Sequence, residues 1–88
     1  MQTYSVTIKK SAAKSIEKLP KHVVARIILA IRDLSENPRP AGVKKLVANE
    51  DLWRIRVGDY RVVYWIEDDI KVVDVTQVAH RSDVYRKK

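Results

Sequence analysis

Residues 52–65, LWRIRVGDYRVVYW, constrain the fold more than any other stretch of this sequence. Apolar residues alternate with arginines before Gly58-Asp59, a pattern typical of a half-buried strand that leads into a tight hairpin turn. A two-residue turn fixes the register of the hairpin, and Arg56 then lies directly opposite Arg61 on the next strand. Like charges in this position destabilise a sheet, so the pair needs an explanation.

A third strand extends the predicted sheet and keeps its two-faced pattern. The stretch IKVVDVTQVA follows a turn at Asp68-Asp69, which places Val62 opposite Val75 and keeps apolar side chains on one face. The other face carries Arg54, Arg56, Arg61, Val63, Trp65, Asp74 and Thr76. The sheet is therefore predicted to have one apolar face and one face dominated by arginine.

The N-terminal half predicts one strand and two helices. TYSVTI alternates like a strand, and Ser11 is then expected to cap a short helix that Pro20 ends. A second helix carries an apolar stripe made of Val24, Ile27, Ile28, Ile31 and Leu34. ENPRPAG stops that helix, and HRSDVYRKK is expected to add a short helical turn at the end. This order predicts a single α+β domain over residues 1–88, a helical hairpin packed on a mainly antiparallel sheet.

Composition excludes several classes of function. The 88 residues include no cysteine, which removes disulfides and thiolate metal sites, and only 2 glycines, too few for a phosphate-binding loop. The acidic pairs Asp68-Asp69 and Glu50-Asp51 lie in predicted turns with no histidine at ligand spacing, so no metal site is expected. No apolar run approaches the length of a membrane span. The N-terminus MQTYSVTIKK lacks the pattern of a signal peptide, which predicts a cytoplasmic protein.

The net charge favours an anionic partner. Lysine and arginine total 18 against 11 acidic residues, a formal charge of +7, which suits nucleic acid, an anionic membrane surface or an acidic protein. Any single surface arginine is ordinary, and Asp74 could form a surface ion pair with one of them. Three arginines on two adjacent strands instead favour a bound phosphate that relieves their repulsion. Trp65 could then stack on a base, with sealing of the sheet edge as the alternative.

Residues 52–87 resemble the second half of the RelE-type toxins of bacterial and archaeal toxin–antitoxin pairs. The shared pattern is an alternating apolar-basic strand, a short turn, Tyr-Arg-apolar-apolar-Tyr, an acidic turn, a valine-rich strand and a final His-Arg-x-x-Val-Tyr. The strand-helix-helix opening and the KKL connector are similar too, so the resemblance spans nearly the whole chain. ParE-type gyrase poisons share this fold and much of the central hairpin, which leaves a non-enzymatic inhibitor of gyrase as the alternative.

The resemblance to RelE implies a ribosome-dependent endoribonuclease that cleaves mRNA and inhibits translation without a metal or other cofactor. The implied partners are the ribosome, mRNA and a cognate acidic antitoxin that neutralises the toxin in a hetero-oligomer. In the family reaction the ribose 2′-OH attacks the adjacent phosphate. The resemblance implies that Arg61 clamps the phosphate oxygens, that Arg81 lies near the leaving oxygen and that Tyr85 stacks on or orients the nucleotide.

One departure from the family pattern bears on the mechanism. Arg54 and Arg56 stand at strand positions where the best-known members carry lysines, one of them proposed as the general base. Because arginine stays protonated, either catalysis is mostly electrostatic positioning by groups such as Arg56, or His80 moves a proton. A structural hydrogen bond at a strand end is the alternative role for His80, and an RNA-binding module that has lost cleavage is a third function. The expected RNA-backbone contacts are Arg54, Lys44, Lys45 and Arg86, with ordinary surface positions as the alternative for the two lysines.

Overall fold

The computed structural model describes residues 3–46 and 52–80, and within these stretches two helices lie against a five-stranded sheet. The strands are β1 (Ser5–Ile8), β2 (Lys44–Lys45), β3 (Leu52–Val57), β4 (Tyr60–Glu67) and β5 (Val72–His80), and the helices are α1 (Lys10–Glu17) and α2 (Lys21–Asp33). The spatial order is β1-β5-β4-β3-β2, with β1 parallel to β5 and the other pairs antiparallel. The α+β architecture with a mainly antiparallel sheet is therefore confirmed.

Two elements differ from the prediction. The sequence predicts a connector around Lys44, but this residue pairs with Arg54 and adds a short edge strand. His80, predicted in a terminal helical turn, is the last residue of β5, and the rest of that predicted turn lies outside the described residues. Neither α1 nor α2 is long and apolar enough to cross a membrane.

α1 begins two residues earlier than predicted. Ser11 is inside the helix, and the N-cap residue is Lys9, which makes no side-chain capping bond. The path of the chain explains the shift, because the Lys9 amide still donates to the Val75 carbonyl at 2.8 Å and the helix begins directly after this bond. Pro20 caps α2 from an extended backbone (φ −58°, ψ 147°), so the predicted break between the helices is correct.

The core lies between the helices and one face of the sheet. Ile27 and Ile31 of α2 are buried, as is Leu34 at the end of the helix, whereas Ile28 is 37% exposed. The predicted stripe of α2 is therefore correct but narrower than expected. It packs against alternate residues of the three long strands, namely Ile55, Val62, Tyr64, Ile66, Val73, Val75 and Val78.

The β3–β4 hairpin has the predicted register. Gly58 and Asp59 form its turn, and Arg56 lies directly opposite Arg61. Gly58 has a φ of +61°, in the left-handed region that favours glycine at the first position of such a turn. The face of the sheet opposite the core therefore carries Arg54, Arg56 and Arg61, and we call it the arginine face.

The β4–β5 register differs from the prediction, because Val62 lies opposite Val78 rather than Val75. Residues 68–71 form the turn, rather than Asp68-Asp69 alone, and Lys71 adopts a φ of 57° there. Tyr64 consequently lies opposite Val75, and a register shift between Val63 and Tyr64 leaves Thr76 as an extra residue in β5. Up to Val75 the displacement is two residues, an even number, so Val73 and Val75 stay on the predicted apolar face. Beyond the extra residue the displacement is three, and Val78 joins that face.

The segment between α2 and β2 is fixed to the sheet by polar contacts. The buried Tyr64 hydroxyl donates to the Pro38 carbonyl at 2.8 Å, and burial raises the pKa of this phenol. Arg39 donates to both oxygens of Asp68, at 3.3 and 2.9 Å, and Tyr4 donates to the same carboxylate at 2.7 Å. The hydrogen bonds from Arg39 and then Tyr4 lower the pKa of Asp68 to about 2. These bonds help to set the position of β2 beside β3.

Candidate functional site

A cleft of about 420 Å³ opens on the arginine face. Its lining residues are Gly42, Lys44, Arg54, Ile55, Arg56 and Arg61, and we call it the cationic cleft. The sheet register brings its four cations together: Lys44 lies opposite Arg54, and Arg56 lies opposite Arg61. Because residues two apart on a strand share a face, Arg54 and Arg56 join the two pairs into one group. Three adjacent strands thus supply one positively charged site.

Arg61 is buried, a depth that the sequence pattern does not indicate. Its side chain is 3% exposed, while Arg56 is exposed and Arg54 is half-buried. The strand order gives one reason, because β4 is the central strand and Arg61 is flanked by Arg56 on one side and Ala79 on the other. A charge held away from bulk water acts more strongly on a nearby anion. Arg61 is therefore the cation of the cleft best placed to act on a bound phosphate.

The carboxylate of Asp74 does not neutralise this site. Asp74 accepts a hydrogen bond from Thr7 at 2.8 Å and forms an ion pair with Lys9 at 3.7 Å, both next to β1. An ion pair between Asp74 and an arginine, considered from the sequence, is therefore not the arrangement found. Among the described residues that line the cationic cleft, none is acidic.

The structure separates the two lysines that the sequence places together. Lys44 lines the cationic cleft, but Lys45 pairs with Trp53 on the other face of the sheet. The Lys45 ammonium lies 5.4 Å from the centre of the Trp53 ring, and the Arg39 guanidinium lies 4.9 Å from it. Lys45 therefore contributes to a cation–π cluster next to the core rather than to the cleft.

His80 also lies on the face opposite the arginines. It pairs with Tyr60, and the two rings meet edge to face with their centres 5.2 Å apart. Its neighbour Ala79 is the residue opposite Arg61. The register thus does not bring the imidazole into the cationic cleft. Three further predicted site residues, Arg81, Tyr85 and Arg86, lie outside the described residues.

From the sequence, the role of Trp65 was left open and Gly42 was missed. Trp65 is 43% exposed on the central strand β4, so it does not seal a sheet edge. Gly42 lines the cleft with a φ of +87°, although a side chain there would meet no atom within 4 Å. Its constraint is therefore the backbone conformation. The signal for Gly42 was available, because a Pro-Ala-Gly turn directly before a basic strand brings its glycine next to Lys44.

This arrangement suits the binding of a phosphodiester. A guanidinium group can donate two parallel hydrogen bonds to phosphate oxygens. The cleft contains three such groups, from Arg54, Arg56 and Arg61. None of these groups can accept a proton near neutral pH, since arginine stays protonated. In residues 3–46 and 52–80, no three His, Cys, Asp or Glu side chains are grouped to hold a metal ion. The three arginines of the cleft can thus stabilise negative charge but do not act as a general base.

Comparison with known proteins shows the family. A family model described as ParE toxin of type II toxin-antitoxin system, parDE, matches residues 6–85. Toxin RelE of Mycobacterium tuberculosis is 36% identical over 84 residues, covering 94% of this chain and 87% of that protein. Toxin RelG of the same organism is 32% identical over 85 residues, covering 96% of this chain and 98% of that protein.

The fold agrees with these matches. A chain in the archaeal RelE–RelB complex from Pyrococcus horikoshii OT3 superposes with a TM-score of 0.81 at 34% identity, covering 91% of this chain and 97% of that one. The relatives are matched over most of their own length as well as most of this chain. This chain therefore belongs to the RelE/ParE superfamily of toxins of type II toxin–antitoxin systems.

Proposed function

We propose that this toxin is a ribosome-dependent endoribonuclease that cleaves mRNA. The observation that carries the proposal is the cationic cleft, in which Lys44, Arg54, Arg56 and Arg61 converge. A phosphodiester under attack gains negative charge on its non-bridging oxygens, and preorganised cations are the groups that stabilise it. The RelE and RelG names of the relatives favour this activity over that of a ParE gyrase inhibitor.

In the proposed reaction the ribose 2′-oxygen attacks the adjacent phosphorus. The bond from phosphorus to the 5′-oxygen of the next nucleotide breaks, which leaves a 2′,3′-cyclic phosphate and a 5′-hydroxyl group. Arg61 holds the phosphate oxygens that gain charge, and Arg56 acts beside it from the opposite strand. Arg54 and Lys44 hold a neighbouring phosphate. Arg81 near the leaving oxygen and Tyr85 on the nucleotide complete the proposal from the family resemblance.

Proton transfer from the 2′-hydroxyl is the step with the fewest candidates. His80 pairs with Tyr60 on the other face of the sheet, which favours positioning and electrostatic stabilisation over a histidine base. Holding the RNA with its 2′-oxygen in line with the scissile bond would then supply much of the rate. A ribosome that fixes the mRNA provides such geometry, so we expect naked RNA to be cut very poorly.

The proposed inhibitor is a cognate acidic antitoxin that forms a hetero-oligomer with the toxin. The complex of RelE with RelB from Pyrococcus horikoshii supports an antitoxin partner. The charge of +7 predicts fast association at low salt that slows as salt rises. Stopped-flow association rates at several salt concentrations test this, and rates that ignore salt would contradict electrostatic steering. The proposed site of action is the cytoplasm, where ribosomes translate.

Inhibition of DNA gyrase is the second candidate function, because the matching family model carries the ParE name. Primer extension on a reporter mRNA after induced expression separates the two. The ribonuclease proposal predicts new 5′ ends at ribosome-occupied codons within minutes, and these ends should disappear when translation initiation is blocked. Intact mRNA together with accumulated gyrase-dependent DNA breaks would instead establish the gyrase activity.

A further inference from the structure

Trp65 presents an indole ring on the same face of the sheet as the cationic cleft. The side chain is 43% exposed, although β4 is the central strand with neighbours on both sides. Tryptophan is usually among the most buried residue types on average, so exposure in the middle of a sheet is unusual. An exposed aromatic ring of this size is a common feature of sites that recognise another molecule.

The register fixes the position of Trp65 relative to the arginines. Arg61, Val63 and Trp65 alternate on one face of β4, so Trp65 lies about 13 Å from Arg61 along the strand, at ~3.3 Å per residue. Arg54 is opposite Val63, and Leu52 is opposite Trp65. On β3 and β4 the arginine face thus carries cations near the hairpin turn and, towards the other end, the apolar Leu52 and Trp65 followed by the exposed Glu67.

A cationic groove beside an exposed aromatic ring is the combination with which proteins hold single-stranded nucleic acid. Cations contact the phosphates, and the ring stacks on a base. We propose that Trp65 stacks on a base of the substrate RNA, a few nucleotides from the phosphate that Arg61 contacts. This inference rests on the proposed function and adds a residue that orients the RNA strand and influences sequence preference.

The surroundings of Trp65 favour RNA over a protein partner. Protein-docking surfaces on small domains are contiguous apolar patches of several hundred Å². Trp65 instead has the apolar Leu52 opposite it on β3 but the charged Asp74 opposite it on β5. The Asp74 carboxylate is engaged by Lys9 and Thr7, so it does not confront the RNA backbone with an uncompensated charge.

Trp53 provides an internal comparison. It lies on the other face, where Arg39 and Lys45 already contact its ring. A bound base should therefore quench the fluorescence of Trp65 and leave that of Trp53 nearly unchanged. A 2′-O-methyl oligoribonucleotide is a suitable probe, because it binds as RNA but has no 2′-hydroxyl to attack. Quenching by this probe is expected for the wild type and is expected to disappear in Trp65→Leu.

Cleavage of ribosome-bound reporter mRNA provides the second measurement. Because purines stack more strongly than pyrimidines, the wild type is expected to show a modest purine preference at one fixed position near the cut. We expect Trp65→Leu to lower kcat/KM on the order of tenfold and to remove this preference. Trp65→Phe keeps an aromatic face and should restore most of both. Ile70→Ala is the matched control, because Ile70 is 68% exposed in the turn after β4, and it should cleave like the wild type.

The outcomes distinguish this inference from the proposed function. Wild-type rates and site preferences in Trp65→Leu, in a toxin that cleaves normally, would overturn the stacking role and leave the nuclease intact. Weaker antitoxin binding by Trp65→Leu with unchanged RNA binding would overturn it too. A wild-type protein that does not cleave would overturn the proposed function. The fluorescence titration would then still decide the role of Trp65, because the absence of quenching by the oligoribonucleotide would refute stacking.

Discussion

Replacement of Arg61 by methionine should abolish mRNA cleavage and leave the fold intact. The Arg61 side chain is 3% exposed at the centre of the sheet, so a truncation to alanine would also leave a cavity. Methionine keeps an unbranched stem of similar length and removes the charge and all N–H donors. The substitution therefore tests the guanidinium group rather than the packing around it.

The expected loss of rate follows from the burial of this guanidinium. Removing one preorganised donor to a transition-state oxyanion typically lowers kcat about 10²–10³-fold, or ~2.7–4 kcal/mol. Arg61 is less screened by water than the exposed Arg56, so Arg61→Met should reach the upper part of this range and Arg56→Met should fall below it. Arg61→Lys should recover only part of the rate, because an ammonium group cannot bridge two oxygens as a guanidinium does.

Stability provides the control for this substitution. Two guanidinium groups about 6 Å apart repel each other by ~3 kcal/mol at an effective dielectric constant of ~20, and exposure of Arg56 reduces this to about 1 kcal/mol or less. In Arg61→Met the loss of this repulsion is stabilising, and it offsets the stabilising contacts that are lost with the guanidinium group. The Tm of Arg61→Met should therefore lie within about 8 °C of the wild-type value, the shift expected for ~1 kcal/mol in a domain of this size.

The assay is single-turnover cleavage of mRNA on programmed ribosomes, with growth inhibition after induced expression as a second measurement. Circular dichroism and thermal unfolding establish that each variant is folded. A folded Arg61→Met protein that cleaves at more than a tenth of the wild-type rate would refute the assignment of Arg61 to the transition state. A larger loss in Arg56→Met than in Arg61→Met would show that burial does not decide which guanidinium matters.

Three further predictions use other contacts of the fold. Lys44→Ala should weaken RNA binding and reduce its salt dependence, whereas Lys45→Ala, on the other face of the sheet, should change neither. Filter-binding titrations at several salt concentrations measure both, and equal losses of affinity in the two variants would contradict the separation of the two faces. Arg39 lowers the pKa of Asp68 to about 2, so the stability from this contact is complete above about pH 4 and disappears as pH falls towards 2. The free energy of unfolding, measured with urea across this pH interval, should decline less in Asp68→Asn than in the wild type. An identical decline in both proteins would exclude the Asp68 carboxylate as its cause. His80→Ala should cleave ribosome-bound mRNA at a near-normal rate, and a loss of about 10²-fold would restore the imidazole as a general base.

The hairpin around Gly58 was predictable because local chemistry determines it. A glycine at the first turn position and strict alternation before it leave one register, and the opposition of Arg56 to Arg61 follows. The grouping of Arg54, Arg56 and Arg61 was predictable to the same extent. The pairing of Lys44 with Arg54 was not, because β2 is two residues long and follows a segment held by the Arg39 and Tyr64 contacts.

Burial of Arg61 could not be derived from alternation. Alternation assigns a side chain to a face but does not say how deeply the neighbouring strands enclose it. Two residues on the same face of β4 differ widely in exposure, because Val63 is 5% exposed and Trp65 is 43% exposed. The difference arises from what lies beside each residue in three dimensions. Alternation along β4 therefore indicates which residues share the arginine face but not how far each one is exposed.

The bulge in β5 determines which face of the sheet His80 occupies. Strict alternation from Val73 and Val75 would turn Gln77 towards the core and Val78 away from it, which is unfavourable for both. The extra residue Thr76 reverses the alternation, so that Val78 is buried and Gln77 is exposed, and the Thr76 hydroxyl donates to the Val63 carbonyl at 3.3 Å. The same reversal carries through to the end of β5 and places His80 beside Tyr60 instead of beside the arginines. The reversal that buries Val78 therefore also places His80 on the face away from the cationic cleft, and under the proposed function the cations of the cleft act on the phosphate without it.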